Sequence, residues 1–251
     1  MKLTEPSEGK FGTSVTKLVL MAGGKGERLY PLTKEVPKPM LPLNGKPLLE
    51  HTIEWAKKQG LKDIIICSGY LAHIIEEYFG DGSRFGVNIK YSIEKEPLGT
   101  AGPLRHAKEL IGKDNFIMLH ADIVCRINAK PLMDFHLKNN ALCTLVIHKS
   151  SHPQDSDLIE TDKTGRVVRF WKKPHAENPP TDLGNSGMHV FSARIMDFIP
   201  EGKYSMEKEF LPNIVELKEQ VYGYHTEEFL KDMGTPERMK EIEEKMKKNQ
   251  I

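Results

Sequence analysis

The sequence predicts an α/β fold: a Rossmann-like, mostly parallel mixed sheet covered by helices, continued by a smaller β-rich lobe. Three observations predict it. Residues 18–21 (LVLM) form a continuous apolar run that stops at glycines, as a strand buried on both faces does when it delivers a loop. Strand-like and helix-like segments then alternate up to residue 120, which implies a parallel sheet with covered faces. Past residue 149 the pattern turns to short strands and a hairpin.

Each element has its own signal. Residues 47–59 read as a helix, with Leu48, Ile53, Trp55 and Ala56 on its apolar side and Gly60 as its stop. Residues 63–67 (DIIIC) read as a buried strand, 71–79 as a short helix ending at Gly80, and 87–93 as a strand. A loop covers 94–99. A helix over 100–111 carries Leu104, Ala107 and Leu110/Ile111 on one face. Residues 116–120 read as a strand, 129–139 as a helix and 142–148 as a strand. A hairpin joins 157–161 to 166–171 through Lys163-Thr164-Gly165. A strand over 187–191, a helix over 207–217 and short strands over 221–224 and 228–231 follow. Thr235 caps the last helix, Pro236 suits its first turn, and Met239, Ile242 and Met246 form its stripe. Residues 1–16 read as a polar tail without the apolar core of a signal peptide. Residues 17–251 then make one domain, with 17–148 and 149–251 as its two parts and a hinge near 149–156.

Composition narrows the function. Lys+Arg 36 against Asp+Glu 35 leaves no basic field, so nucleic acid is not an expected partner. No apolar run approaches the ~20 residues of a membrane span, and no membrane partner is expected. Cys67, Cys125 and Cys143 form no C-x-x-C pair and are odd in number, which fits a reduced, cytoplasmic setting.

The chemistry concentrates in residues 17–43, KLVLMAGGKGERLYPLTKEVPKPMLPL. A strand delivers Gly23, Gly24 and Gly26, and Arg28 and Lys38 follow on a proline-stiffened segment. Bare N–H groups and fixed cations suit a polyphosphate. The segment is no Walker A loop, since no Gly-Lys-Ser/Thr ends it. It is no dinucleotide fingerprint either, since Leu29 stands where the third glycine belongs. Residues 20–39 resemble the first signature of the sugar-nucleotidyltransferase family, L-A-G-G-x-G-x-R-L-x-P-L-T-x-x-x-P-K-P, with Met21 and Glu27 as small departures. The resemblance runs from residue 17 to about 242, without the C-terminal β-helix of some relatives. It implies the nucleotide-diphospho-sugar transferase fold, with the β-rich lobe binding sugar.

Other motifs gain meaning from this resemblance. Asp122 follows the strand FIMLH, and a carboxylate there can hold Mg²⁺ beside a phosphate or simply cap a turn. His120-x-Asp122 could also pair on a transition metal, without a clustered third ligand. Similar enzymes have Gly-Asp here and bind metal through the Asp; here Ala121 precedes it. The run Asp232-x-Gly234-Thr235-Pro236 resembles the late signature whose Asp is the second metal ligand; read alone, Asp232 is an acid near a helix start. Lys173 matches the lysine of Glu-Lys-Pro that grips the sugar phosphate, with Lys172 in place of the Glu. Asn185 and Glu207 match sugar contacts; by themselves they read as a turn residue and a helix-start charge. Residues 96–104 (EPLGTAGPL) resemble the base loop of mannose-1-phosphate guanylyltransferases, with Glu96, Gly99 and Thr100 against the base and Ala22 in the phosphate loop.

The resemblance therefore implies an enzyme joining a sugar 1-phosphate to an NTP, GTP above all, with Mg²⁺ as cofactor. Mannose 1-phosphate and heptose 1-phosphate are the leading sugars, and a homodimer stays open. The phosphate nucleophile is mostly dianionic near neutral pH, its second pKa being about 6, so no protein base is required. Arg28, Lys38 and Asp122 form the catalytic set by positioning and neutralising charge. The alternatives are a nucleotide-sugar-binding regulatory subunit without catalysis, and an active enzyme specific for UTP or CTP.

Overall fold

The computed structural model describes residues 14–251. Residues 1–13 of the expected tail lie outside the described residues. Val15 and Thr16 do not belong to a tail: strand β1 spans Val15–Ala22, and Val15 packs into the core. A ribbon of β2 (Pro42–Leu43) and β3 (Lys46–Pro47) follows, then α1 (Leu48–Lys58), β4 (Asp63–Ser68), α2 (Ala72–Phe79) and β5 (Asn88–Ile93). Next come α3 (Gly102–His106), α4 (Lys108–Ile111), β6 (Asn115–His120), β7 (Ile123–Cys125), α5 (Ala129–Lys138) and β8 (Cys143–Lys149). The chain ends with β9 (Leu158–Thr161), β10 (Val167–Trp171), β11 (Leu183–Phe191), α6 (Leu211–Glu216), β12 (Val221–His225), β13 (Leu230–Asp232) and α7 (Pro236–Lys247).

The main sheet is mixed and mostly parallel. β5, β4, β1 and β6 run parallel in that order. β11 lies antiparallel between β6 and β8, and β12 closes that side parallel to β8. The β9–β10 hairpin attaches at Gly184↔Leu158. Burial on both faces explains the unbroken apolar run of β1. Leu18 and Leu20 enter one core with Ile64 and Ile66, while Val19 enters the other with Ile65 and Cys67.

Four expected elements differ in the structure. The helix over 100–111 is two: α3 starts at Gly102, because Thr100 spends its hydroxyl on Glu207 and Met206, and the chain breaks at Ala107. The helix over 207–217 opens as a wide π-type turn, Met206–Phe210, before α6. Pro212 has no N–H for the Lys208 carbonyl, which accepts from Lys172 Nζ at 2.9 Å instead. The last short strand lies at Leu230–Asp232, because its partner β7 offers only Ile123–Cys125 to pair with. Strand β11 starts four residues before the expected 187–191 and contains Asn185. Two ribbons were not expected. Asn44-Gly45, both at positive φ (50° and 86°), turns β2 into β3, and β7 pairs antiparallel with β13.

Candidate active site

The carboxyl ends of β1, β4 and β6 open onto one cavity of about 840 Å³. Ala22, Gly23, Gly24, Gly26, Arg28 and Lys38 line it from the first loop. Glu96, Gly99 and Thr100 line it from the loop after β5, and Asp122 from the end of β6. The first loop holds itself together. Gly26 sits at φ +66, and its carbonyl accepts from Leu29 N and Thr33 Oγ1, each at 2.9 Å. Lys38 is buried in a short turn and pairs with the Asp122 carboxylate.

The β7–β13 ribbon joins the two aspartates. Asp232 pairs across from Ile123, and Met233 N donates to the Asp122 carbonyl at 2.8 Å. Behind the ribbon, Val124, Met233 and Ile242 pack with Leu29 and Leu43, tying α7 to the first loop. Arg28 reaches the same corner: a Cβ on Gly234 would stand 3.3 Å from its Nη2. Mg²⁺ takes hard oxygen ligands, typically one or two carboxylates completed by substrate phosphates and water. Asp122 and Asp232 fit that set. Among the described residues no cluster of three or more His, Cys, Asp or Glu suits a metal, so water and, with substrate bound, phosphate oxygens would complete the shell.

Four expected residues stand apart from the cavity wall: Asp232 on the adjoining ribbon, and Lys173, Asn185 and Glu207. Glu207 touches it through Thr100 and His120. The Lys173 backbone N–H donates to Asp157 Oδ1 at 3.0 Å. Asn185 turns its side-chain oxygen to its own strand, accepting from Gly187 N at 3.3 Å.

The nucleotidyl transferase profile matches residues 17–249. The chain belongs to the nucleotidyl transferase family. Mannose-1-phosphate guanylyltransferase of Mycobacterium tuberculosis is 37% identical over 229 residues, 90% of this chain and 63% of that protein. The mannose-1-phosphate guanyltransferase of Saccharomyces cerevisiae is 35% identical over 225 residues, 88% of this chain and 62% of that protein. The chain thus spans less than two thirds of the length of these relatives. HddC from Yersinia pseudotuberculosis, solved in complex with GMP-PN, superposes with a TM-score of 0.79 at 27% identity, covering 92% of this chain and 100% of that one. A Bacillus anthracis structure with a TM-score of 0.81 at 19% identity, covering 92% of this chain and 94% of that one, shares the fold.

Three further residues pair with or pack against residues of this candidate site. His120, on the cavity wall, meets Glu207 Oε1 at 3.2 Å, and Thr100 Oγ1 donates to Glu207 Oε2 at 2.8 Å. Burial pushes the His120 imidazole down, but the Glu207 carboxylate outweighs it and the net shift is upward. Burial pushes Glu207 up, but the His120 hydrogen bond and charge and the Thr100 hydroxyl carry it down to about 2. Glu94 backs the base loop: its Oε2 accepts Leu98 N at 3.1 Å, and a Cβ on Gly23 would stand 2.5 Å from its Oε1. Burial raises its carboxyl pKa against the Leu98 N–H and His106. The third residue is Arg238, whose one legible signal is a cation in the first turn of a helix, where the dipole disfavours it.

Proposed function

We propose that the protein is a sugar-1-phosphate nucleotidyltransferase that uses GTP, joining it to mannose 1-phosphate or a heptose 1-phosphate with release of pyrophosphate. The observation that carries this reading is the meeting, in one cavity, of the glycine loop, Arg28, Lys38 and Asp122, with Asp232 on the adjoining ribbon. The guanylyl preference draws on the two curated relatives and on the HddC complex with GMP-PN.

In this reading the amides of residues 23–26 and Arg28 hold the triphosphate. Lys38 neutralises oxygens as charge shifts toward the leaving pyrophosphate. Asp122 and Asp232 would hold Mg²⁺, which when bound supplies positive charge between the two anionic substrates. A sugar-phosphate oxygen attacks the α-phosphorus in line, and no protein nucleophile is needed. Glu94 and Glu96 offer acceptors, and the amide at Thr100 a donor, to the guanine edge, while the Ala101 amide is taken by the Tyr204 carbonyl. Residues 17–148 serve the nucleotide, and 149–251, through Lys173, Asn185 and Glu207, serve the sugar phosphate. Three free, buried cysteines support a cytoplasmic setting.

The test is pyrophosphate release with Mg²⁺, four NTPs and several sugar 1-phosphates. GTP should exceed UTP and CTP in kcat/KM by at least roughly 10², because buried hydrogen-bond mismatches discriminate strongly. UTP or CTP equal to GTP would remove the guanylyl assignment, and no turnover with any pair would remove the enzyme. Lys173→Ala should raise KM for the sugar phosphate far more than KM for the NTP. Equal effects on both substrates would move Lys173 out of the sugar-phosphate site.

A further inference from the structure

The first turn of α7 carries a cation that the helix itself does not want. Arg238 is the third helical residue, and its backbone N–H is held by the Thr235 hydroxyl. Its side chain reaches back to β13, where Nη1 donates to both oxygens of Asp232, at 2.7 and 2.6 Å. One nitrogen between both oxygens engages lone pairs that a chelated cation would use. Lys38 stands on Asp122 in a comparable way, but its side chain is only 10% exposed and it faces the phosphate cavity. Arg238 does not line the cavity, and the Arg238 and Asp232 side chains are 42% and 37% exposed. The guanidinium therefore has open solvent to move into.

We propose that Arg238 is a displaceable counter-ion: it neutralises Asp232 in the metal-free protein and competes with the divalent cation for that carboxylate, so that it sets metal affinity. The inference rests on Asp232 being a metal ligand. Arg238 acts through Asp232 and is a positioning residue. Metal binding would free the guanidinium, so the first turn of α7 would register whether the metal is present.

The test is a Mn²⁺ titration of the full chain without nucleotide, reading free Mn²⁺ by electron paramagnetic resonance. Arg238→Met should bind Mn²⁺ about fivefold tighter than the unaltered protein, the scale of one exposed ion pair. Arg238→Lys should fall between the two, and it decides alone if Arg238→Met does not fold. A merely structural arginine would lower the melting temperature and weaken binding or leave it alone. Unchanged or weaker binding in the Arg238 variants, with Asp232→Asn losing the site, overturns the inference and keeps the metal assignment. Mn²⁺ binding by Asp232→Asn equal to that of the unaltered protein overturns the metal assignment, and the inference with it.

Discussion

At the scale of single residues, Gly234 shows how little space the site leaves. A Cβ there would overlap Asp232 Oδ1 and stand 3.3–3.4 Å from the Arg28 guanidinium nitrogens. Its backbone is not in the left-handed region, so alanine is tolerable to the chain and intolerable to its neighbours. Arg28 belongs to the proposed phosphate-neutralising set, and Asp232 to the proposed metal ligands. Gly234→Ala should therefore lower kcat by about 10²-fold, the effect of a small misplacement of reacting groups, while the melting temperature stays close to that of the unaltered protein. Steady-state kinetics beside thermal unfolding checks both halves. A variant with normal kcat would show that the corner of Arg28 and Asp232 is not needed for turnover.

At the scale of elements, the loop after β5, proposed to hold the base, is held by a segment far along the chain. Tyr204 N donates to the Leu98 carbonyl at 3.0 Å, and Ala101 N donates to the Tyr204 carbonyl at 2.9 Å. Gly99 makes this approach possible, because it sits at φ +79 and a Cβ on it would stand 2.5 Å from the Tyr204 oxygen. Gly99→Ala must push the loop off residue 204 or strain its own backbone, at about 1–3 kcal/mol. We expect KM for the NTP to rise about tenfold or more from that strain, with KM for the sugar phosphate changing less. Both constants, measured at saturating partner substrate, check this. Equal rises would mean that the loop serves both substrates.

At the scale of the whole molecule, buried histidines link stability to pH. Burial carries the His136 imidazole down to about 4, from an ordinary value of 6.5. Burial, aided by the nearby His120, carries His189 down to about 3. Both folded values lie below the unfolded one, so the unfolded chain binds more protons between them. Stability is then full above about pH 6.5 and falls as the pH drops. Each imidazole should cost about 2 kcal/mol between pH 7.5 and 5. Urea unfolding at the two pH values measures the loss. His136→Asn should be less stable at pH 7.5 yet lose less on acidification, and an unchanged pH slope would show that His136 titrates normally in the fold.

The sequence alone determined the parallel half of the sheet, because a strand buried on both faces needs a continuous apolar run, as β1 has at residues 18–22 and β4 at residues 64–67. It also made the glycine loop legible, because its glycines, arginine and prolines lie at a few neighbouring positions. Capping of α7 by Thr235 was legible for the same reason: the contact is local. Asn44-Gly45 carried an equally local hairpin signal, yet the β2–β3 ribbon was not among the expected elements. The tertiary structure alone decided what depends on distant partners. The three-residue strand β7 has too short a pattern to announce itself and exists by pairing with β13, more than a hundred residues away. That pairing sets Asp232 beside Asp122. In the same way Thr100 left its expected helix for Glu207, and Arg238 found Asp232. Side-chain pairing across the fold obeys no sequence period, so only the assembled sheet and its ribbon bring these charges together.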